Sequence, residues 1–409
     1  MKSLPGWTVL AAIALAAIAA WPLMPHTARA SSGAYVAPVQ PDYALRDQTV
    51  AFYEKRVRDD RRDQISAALL GGQYMQRYRE SGDVDDITRA LAQAQRALKL
   101  QPQNNAGAEG LIGSAYTALH KFRDALRYET LAHAEQPYDS NAPAQMASLD
   151  MELGRYGPAK IMLFKAAAIR NTPTVMAVRA RYEELTGHLD RAARLLQRAM
   201  EETDGNYDNS AQGRAWYHFR LGEVLFESGD MAGAQKRERE AIAIFPNLEL
   251  AYRALARDCF YANDWRCALD AGTKGANIIP VPETLGYKAD AQQALGDAAG
   301  AAQTRQLIGA IERIGNAYHL NDRLLAMYYA DHHLRPDDAY RIAQREVALR
   351  GTEIYAQDTL AWAAAMDGKW DVAQRAAKRA ARYGTQDPRI TYHARYIAQH
   401  RSPTHPQGR

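Results

Sequence analysis

The sequence has almost no excess of charge of either sign. Its 409 residues include 51 Lys and Arg against 47 Asp and Glu, which gives a formal net charge of +4. A net charge this small produces no strong positive electrostatic field that would attract nucleic acid, and no nucleic-acid partner is predicted. With 27 Gly and 17 Pro the chain is neither collagen-like nor of low complexity, and 47% hydrophobic residues exclude a wholly disordered protein.

The usual motifs of catalysis and cofactor binding are also missing. The chain has no glycine-rich loop ending in Gly-Lys-Ser or Gly-Lys-Thr, no Gly-x-Ser-x-Gly turn and no His-Glu-x-x-His helix. The acidic spacing of a calcium loop is absent as well. We therefore predict a protein that is not an enzyme, and assign no catalytic, cofactor-binding or metal-ligating residue.

Cysteine is scarce, with two residues in the whole chain. Cys259 and Cys267 lie eight positions apart, on either side of a predicted turn at residues 262–264. Two interpretations remain open. The thiols form a disulfide if the chain is exported to an oxidising compartment, or they are two small buried hydrophobic side chains.

Long apolar runs are limited to the N-terminus, where Lys2 precedes an apolar stretch at residues 7–21. Two prolines and the small-x-small triplet ending at Ala30 follow. This pattern predicts a signal peptide over residues 1–30, cleaved after Ala30, and hence a periplasmic or secreted protein. The alternative is an uncleaved anchor, but a run of about 15 residues is short of the ~20 that a spanning helix needs. No stable membrane insertion is expected after cleavage.

A repeating pattern is clearest at residues 215–246. The unit has a large-small pair, an aliphatic residue, a turn, two spaced alanines and a closing proline, at Leu221-Gly222, Leu225, Gly229-Asp230, Ala234, Ala241 and Pro246. This spacing resembles the tetratricopeptide repeat (TPR), in which two short antiparallel helices approach closely where small residues face each other.

The same frame recurs along most of the chain. Clear copies lie at residues 112–137 and 255–280, weaker copies fill the gaps, and a divergent first unit spans residues 66–102. We predict an all-α fold: a right-handed α-solenoid of about nine TPR-like helix hairpins over residues 46–400, with a C-terminal capping helix. Residues 31–45 are predicted to be a flexible tail and residues 401–409 a disordered C-terminal tail.

The chain also resembles a narrower group, the exported bacterial TPR proteins of unassigned function. The segments that carry this resemblance are RESGDVDDITRALAQAQRALKLQP, LIGAIERI, DTLAWAAAMDGKWDVAQ and YGTQDPRITYHARYIA. The resemblance implies the fold and the export route, and it implies no activity.

Residues of the first helix in each repeat are expected to line the concave groove of a TPR solenoid. Counting repeat positions places charged and aromatic residues there, and we predict a partner-binding groove formed by Arg220, Glu223, Arg253, Arg257, Phe260, Tyr261, Tyr287, Tyr328 and Trp362. Arginine guanidinium groups beside aromatic rings can bind a peptide carboxylate through two hydrogen bonds, while the rings cover its apolar part. Alternatively, Arg220, Arg253 and Arg257 are paired with neighbouring acidic residues.

These features favour a non-enzymatic scaffold of the extracytoplasmic compartment that binds a protein or peptide in its groove. The alternative is an accessory protein that binds a metal or solute for a membrane transporter. That alternative depends on a histidine cluster, because neutral imidazoles bind Ni, Cu or Zn. The histidines are His332, His333, His393, His400 and His405.

Overall fold

The structure is a computed structural model that describes residues 41–206, 209–315 and 321–400. Its described part begins with a short 3-10 helix, Asp42–Leu45, and continues as twenty α-helices. In chain order these are α1 (Arg46–Asp59), α2 (Gln64–Ser81), α3 (Val84–Leu100), α4 (Ala106–Ala118), α5 (Phe122–Glu135), α6 (Asn141–Glu152), α7 (Tyr156–Ile169), α8 (Pro173–Leu185), α9 (Leu189–Asp204), α10 (Ala211–Glu227), α11 (Met231–Ile244), α12 (Glu249–Tyr261), α13 (Trp265–Ile278), α14 (Pro282–Ala294), α15 (Ala298–Gly315), α16 (Asp322–Asp331), α17 (Pro336–Arg350), α18 (Ile354–Met366), α19 (Trp370–Ala380) and α20 (Pro388–Gln399).

Consecutive helices pack as antiparallel hairpins, from the pair α2 and α3 to the pair α18 and α19. About nine hairpins result, followed by α20, so the predicted all-α solenoid with a C-terminal helix is confirmed. None of the helices in the described residues is both long enough and apolar enough to cross a membrane.

The hairpin of α10 and α11 shows why this sequence folds in this way. Gly229 has a φ of +88°, the left-handed conformation that ends a helix at little cost for glycine. The Asp230 carboxylate then accepts a hydrogen bond from the Gly233 amide and caps α11. The two helices are close enough that a Cβ on Gly222 would lie 3.3 Å from the Ala234 carbonyl oxygen. Small residues at these positions therefore set the spacing within the hairpin.

The repeats also contact one another across long sequence distances. The Ile354 amide donates to the Tyr156 hydroxyl (3.2 Å), the Thr352 hydroxyl to the Gly154 carbonyl (3.1 Å) and the Gln386 side chain to the Gly187 carbonyl (2.8 Å). Met151, Leu185, Ile354 and Ile390 share one buried apolar cluster. The last repeats thus pack against the turns of α6–α7 and α8–α9, and the solenoid closes around its own interior.

The expected tail over residues 31–45 requires a correction at its end. Residues 31–40 lie outside the described residues, but Asp42–Leu45 form a 3-10 helix that is held in place. The Tyr43 ring packs against Phe245 at a centroid distance of 5.1 Å, and the Asp42 carboxylate accepts a hydrogen bond from the Ala211 amide (2.9 Å). The predicted signal peptide with its cleavage site, and the tail at residues 401–409, also lie outside the described residues.

The two cysteines form a disulfide, which decides between the two interpretations left open by the sequence. The Cα atoms of Cys259 and Cys267 are 5.7 Å apart, within the usual range for a disulfide. The bond joins α12 to α13 across their turn. Because α12 carries several predicted groove residues, the disulfide restrains one wall of the groove.

Candidate binding cavity

A cavity of about 550 Å³ lies in the interior that the solenoid encloses. Its wall is formed mainly by the first helices of successive repeats, α8, α10, α12, α14, α16 and α18, together with α20. Eight of the nine predicted groove residues line it, namely Arg220, Glu223, Arg253, Arg257, Phe260, Tyr261, Tyr287 and Tyr328. Residues separated by up to 108 positions are thereby brought to one site.

Helical periodicity explains why α12 contributes so much of this wall. Arg253 and Arg257 are one turn apart, and Phe260 and Tyr261 follow on the next turn of the same face. Ala251 and Ala256 of the same helix are fully buried in apolar clusters and do not line the cavity. Their size lets α12 approach its neighbours while its long side chains extend inward.

The groove arginines are engaged in ion pairs. Arg220 contacts Glu184 at 2.6 Å, Arg257 contacts Glu223 at 2.8 Å, and Arg253 lies 3.7 Å from Glu283. Pairing with acidic residues is the second of the two interpretations that the sequence allowed. These guanidinium groups are therefore not free to bind the carboxylate of a ligand, because acidic side chains of the wall already compensate their charge.

Arg257 is at the centre of a buried charge cluster behind the wall. It also contacts Asp258 at 2.9 Å and lies 3.9 Å from Glu238, which is fully buried. Burial and the nearby Asp258 carboxylate raise the pKa of Glu238 to about 10, so this group is a neutral acid at pH 7. Burial alone would also raise the pKa of Glu223, but Arg257 and Arg220 lower it. Glu223 therefore stays ionised at the cavity surface.

Aromatic rings line the same part of the cavity. Phe260 packs against Tyr261 and Tyr287 with centroid distances of 5.7 and 5.5 Å, and Phe226 packs against Tyr261 at 5.9 Å. The Arg257 guanidinium lies 3.7 Å from the centroid of the Phe226 ring. Charged groups and ring faces therefore alternate along the wall, which suits a ligand that has both polar and apolar parts.

Trp362 is the one predicted groove residue that does not line the cavity. It is buried behind the wall, stacked on His393 at a centroid distance of 4.3 Å, and its indole N–H donates to Asp331 at 2.7 Å. It therefore positions Asp331, which does line the cavity. Repeat counting failed here because α20 packs over the last repeat and covers the tryptophan.

The histidines of the alternative interpretation are separated rather than clustered. His332 pairs with Asp290 at 2.9 Å, and this hydrogen bond raises the pKa of His332 although burial opposes it. His393 pairs instead with Asp358 at 3.0 Å. His405 lies outside the described residues. Within the part of the chain that the structure describes, no three His, Cys, Asp or Glu side chains are grouped in a way that could hold a metal ion.

Several wall residues were missed from the sequence, and Arg181, Glu184 and Arg389 are three of them. Arg181 and Glu184 come from α8, and their position in the first helix of a weaker repeat was a usable signal. Arg389, from α20, crosses to Glu283 at 3.2 Å. No repeat register could indicate Arg389, because α20 is not part of a hairpin.

Comparisons with known proteins show the fold. No family model and no curated protein matches the sequence. Among solved structures, the chain is similar to human IFIT1 bound to PPP-AAAA, with a TM-score of 0.53 at 16% identity over 83% of this chain and 78% of that one. A monomeric IFIT1 mutant with Gppp-AAAA gives a TM-score of 0.54 at 16% identity, covering 83% and 76%.

A smaller structure is also similar, the thermophilic TPR protein TTC0263 from Thermus thermophilus. It covers 45% of this chain and 93% of its own, at 19% identity and a TM-score of 0.37. With the hairpin geometry above, the likeness to IFIT1 shows that this chain has a TPR-like fold.

Proposed function

We propose that this protein is a non-enzymatic scaffold of the extracytoplasmic compartment that binds a short peptide segment of a partner protein in its central cavity. The observation that carries the proposal is the cavity wall. It is contributed by the first helices of six consecutive repeats and combines paired charges with aromatic rings. The extracytoplasmic location rests on the N-terminal sequence pattern alone.

The size of the cavity defines what kind of ligand is proposed. About 550 Å³ is in the range of pockets that hold small molecules or a few amino-acid residues. The surface of a folded domain does not fit inside such a volume. Because the solenoid closes on itself, the partner has to present an extended segment, a loop or a chain end.

The charge of the wall favours a peptide over a phosphate-rich ligand. The cavity is lined by seven arginines and nine Asp or Glu residues. The IFIT1 structures contain PPP-AAAA and Gppp-AAAA, but this wall offers no surplus of positive charge to neutralise a triphosphate. A peptide brings its own mixture of charged, polar and apolar groups and needs no such surplus.

Site-directed photo-crosslinking in the native host tests the proposal. A photo-reactive amino acid would replace Tyr261, which is half-exposed and faces the cavity, or Met327, which also lines it. The matched control position is Phe164 on the outer face of α7, where 78% of the side chain is exposed. Arg257 is unsuitable because its replacement disrupts the buried charge cluster.

We expect a protein adduct from Tyr261 and Met327 and none from Phe164. Equal labelling from all three positions would contradict binding inside the cavity. If the exported, folded protein gives no adduct from any position, the small-solute alternative becomes the better account, since a cavity of this volume also fits a small solute.

A further inference from the structure

One acidic group in the cavity wall is left without a hydrogen-bond donor. The Oε2 atom of Glu227, near the end of α10, is buried and accepts no hydrogen bond from any described residue. Buried polar atoms normally have a partner, and an orphaned one at a binding surface is a candidate ligand contact. Three arginines of the wall already contact other carboxylates: Arg181 and Arg220 contact Glu184, and Arg257 contacts Glu223.

The other acidic groups around Glu227 are paired with wall arginines: Glu184 with Arg220, and Glu223 with Arg257. The carboxylates of Glu184, Glu223 and Asp387 face it, from α8, α10 and the N-cap of α20, and Arg181 of α8 is the facing cation. Arg181 itself contacts Glu184 and lies 4.9 Å from the centroid of the Tyr355 ring. Among these carboxylates, Glu227 is the one that forms no ion pair with a described residue, so it is the acid available to a further cation.

Aromatic rings complete this part of the wall. Phe226 precedes Glu227 and packs against Tyr261, while Tyr355 from α18 also lies close enough to Glu227 to feel its charge. Aromatic faces attract ammonium and guanidinium groups, most strongly away from water. The cavity already holds a group of this kind, because Arg389 reaches in from α20 to Glu283.

We propose that Glu227 anchors a subsite for an organic cation, the lysine ammonium or arginine guanidinium of the bound peptide. The inference rests on the proposed function and specifies the peptide that the cavity accepts. The cation donates a hydrogen bond to Oε2 of Glu227, while the Phe226 and Tyr355 rings cover its apolar stem.

Proton release accompanies binding in this arrangement. Burial, together with the Glu184 and Asp387 carboxylates, raises the pKa of Glu227 well above its ordinary value. At any pH at which the free protein holds this proton, an arriving cation displaces it. Where Glu227 is protonated in the free protein, the affinity for a basic peptide should rise up to about tenfold for each unit of pH.

Selection of peptides on the folded wild-type protein, from a phage-displayed library of random heptapeptides, provides the probe. The selected peptides are then synthesised with each Lys or Arg in turn replaced by Gln. Calorimetric titrations at pH 6, 7 and 8 compare the wild type with Glu227→Gln and Glu227→Asp. Glu202→Gln is the control, because Glu202 lies on the outer side of α9 and pairs with the exposed Arg198.

We expect the selected peptides to share a basic residue whose replacement weakens binding at least tenfold. Glu227→Gln should weaken binding to a similar extent and abolish its pH dependence, since glutamine keeps the shape but cannot ionise. Glu227→Asp should retain the pH dependence with reduced affinity, and Glu202→Gln should behave as the wild type.

Two failures are distinguishable. If no peptide is selected by a folded protein, the proposed function fails. If peptides bind without a basic residue, or if their affinity and pH profile are unchanged in Glu227→Gln, the cation subsite is refuted while peptide binding stands.

Discussion

Closure of the solenoid makes some turn glycines far more sensitive to substitution than others. Gly187 ends the hairpin turn between α8 and α9 with a φ of +79°, and Gly229 occupies the corresponding turn between α10 and α11 with a φ of +88°. A Cβ at Gly187 would overlap the carbonyl oxygen of Gly384, whereas a Cβ at Gly229 would meet no atom within 4 Å. The pair Gly187→Ala and Gly229→Ala therefore separates backbone strain from loss of closure.

The expected magnitudes follow from this difference. Both substitutions place alanine in the left-handed region, which costs roughly 1–2 kcal/mol. Gly187→Ala also forces two backbone segments apart, and overpacking of this kind costs roughly 1–3 kcal/mol more. We expect Gly229→Ala to lower the free energy of unfolding by about 1 kcal/mol and Gly187→Ala by about 3 kcal/mol.

Urea unfolding followed by circular dichroism measures the stability loss, and amide hydrogen exchange locates it. In Gly187→Ala the amides of residues 381–390 should exchange faster, because Gln386 loses its hydrogen bond to the Gly187 carbonyl. In Gly229→Ala their exchange should match the wild type. Equal losses of stability in the two variants, with unchanged exchange at residues 381–390, would show that the contact between the α8–α9 turn and the C-terminal segment does not hold the solenoid closed.

Three further predictions concern buried groups. Arg257→Ala should cost about 3–5 kcal/mol in urea unfolding, because it leaves buried carboxylates uncompensated; a loss below about 1 kcal/mol would contradict this. Replacing Cys259 and Cys267 by Ser should cost about 2 kcal/mol, and reductant should then have no further effect. Burial, then Asp139, raises the pKa of Glu129 from 4.5 to about 8, so stability falls as the pH rises between these values. Glu129→Gln should flatten that fall in thermal unfolding at pH 5 and 8, and an unchanged slope would refute the assignment.

Local sequence features were sufficient to predict the helix hairpins of the repeats. The turn glycines, the aspartates that cap second helices and the alanines at fixed intervals act between residues fewer than 40 positions apart, as Gly229, Asp230 and Ala234 illustrate. The same kinds of contact recur from hairpin to hairpin, so several imperfect copies reinforce one prediction. Eight of the residues selected by the register of the first helices lie on the cavity wall.

The sequence could not predict in the same way which wall residues are paired with other side chains or which are covered by another helix. The sequence allowed Arg220 to bind a ligand or to pair with an acid, and Glu184 of the preceding repeat decided the question at 2.6 Å. Trp362 has the correct register but is covered by His393 of α20. Both outcomes depend on which helices become neighbours, which a single repeat does not encode.

The sequence by itself determined the hairpins, the order of the repeats and eight of the side chains that face inward, because these follow from short-range periodicity and from small residues at helix contacts. Only the tertiary structure decided that the solenoid closes and that its groove is a cavity. It also decided that the wall arginines are paired, whereas Oε2 of Glu227 accepts no hydrogen bond from the described residues. The physical reason is the distance along the chain. Contacts such as that between Gly187 and Gln386 join residues almost 200 positions apart, so the pattern within a single repeat does not record them.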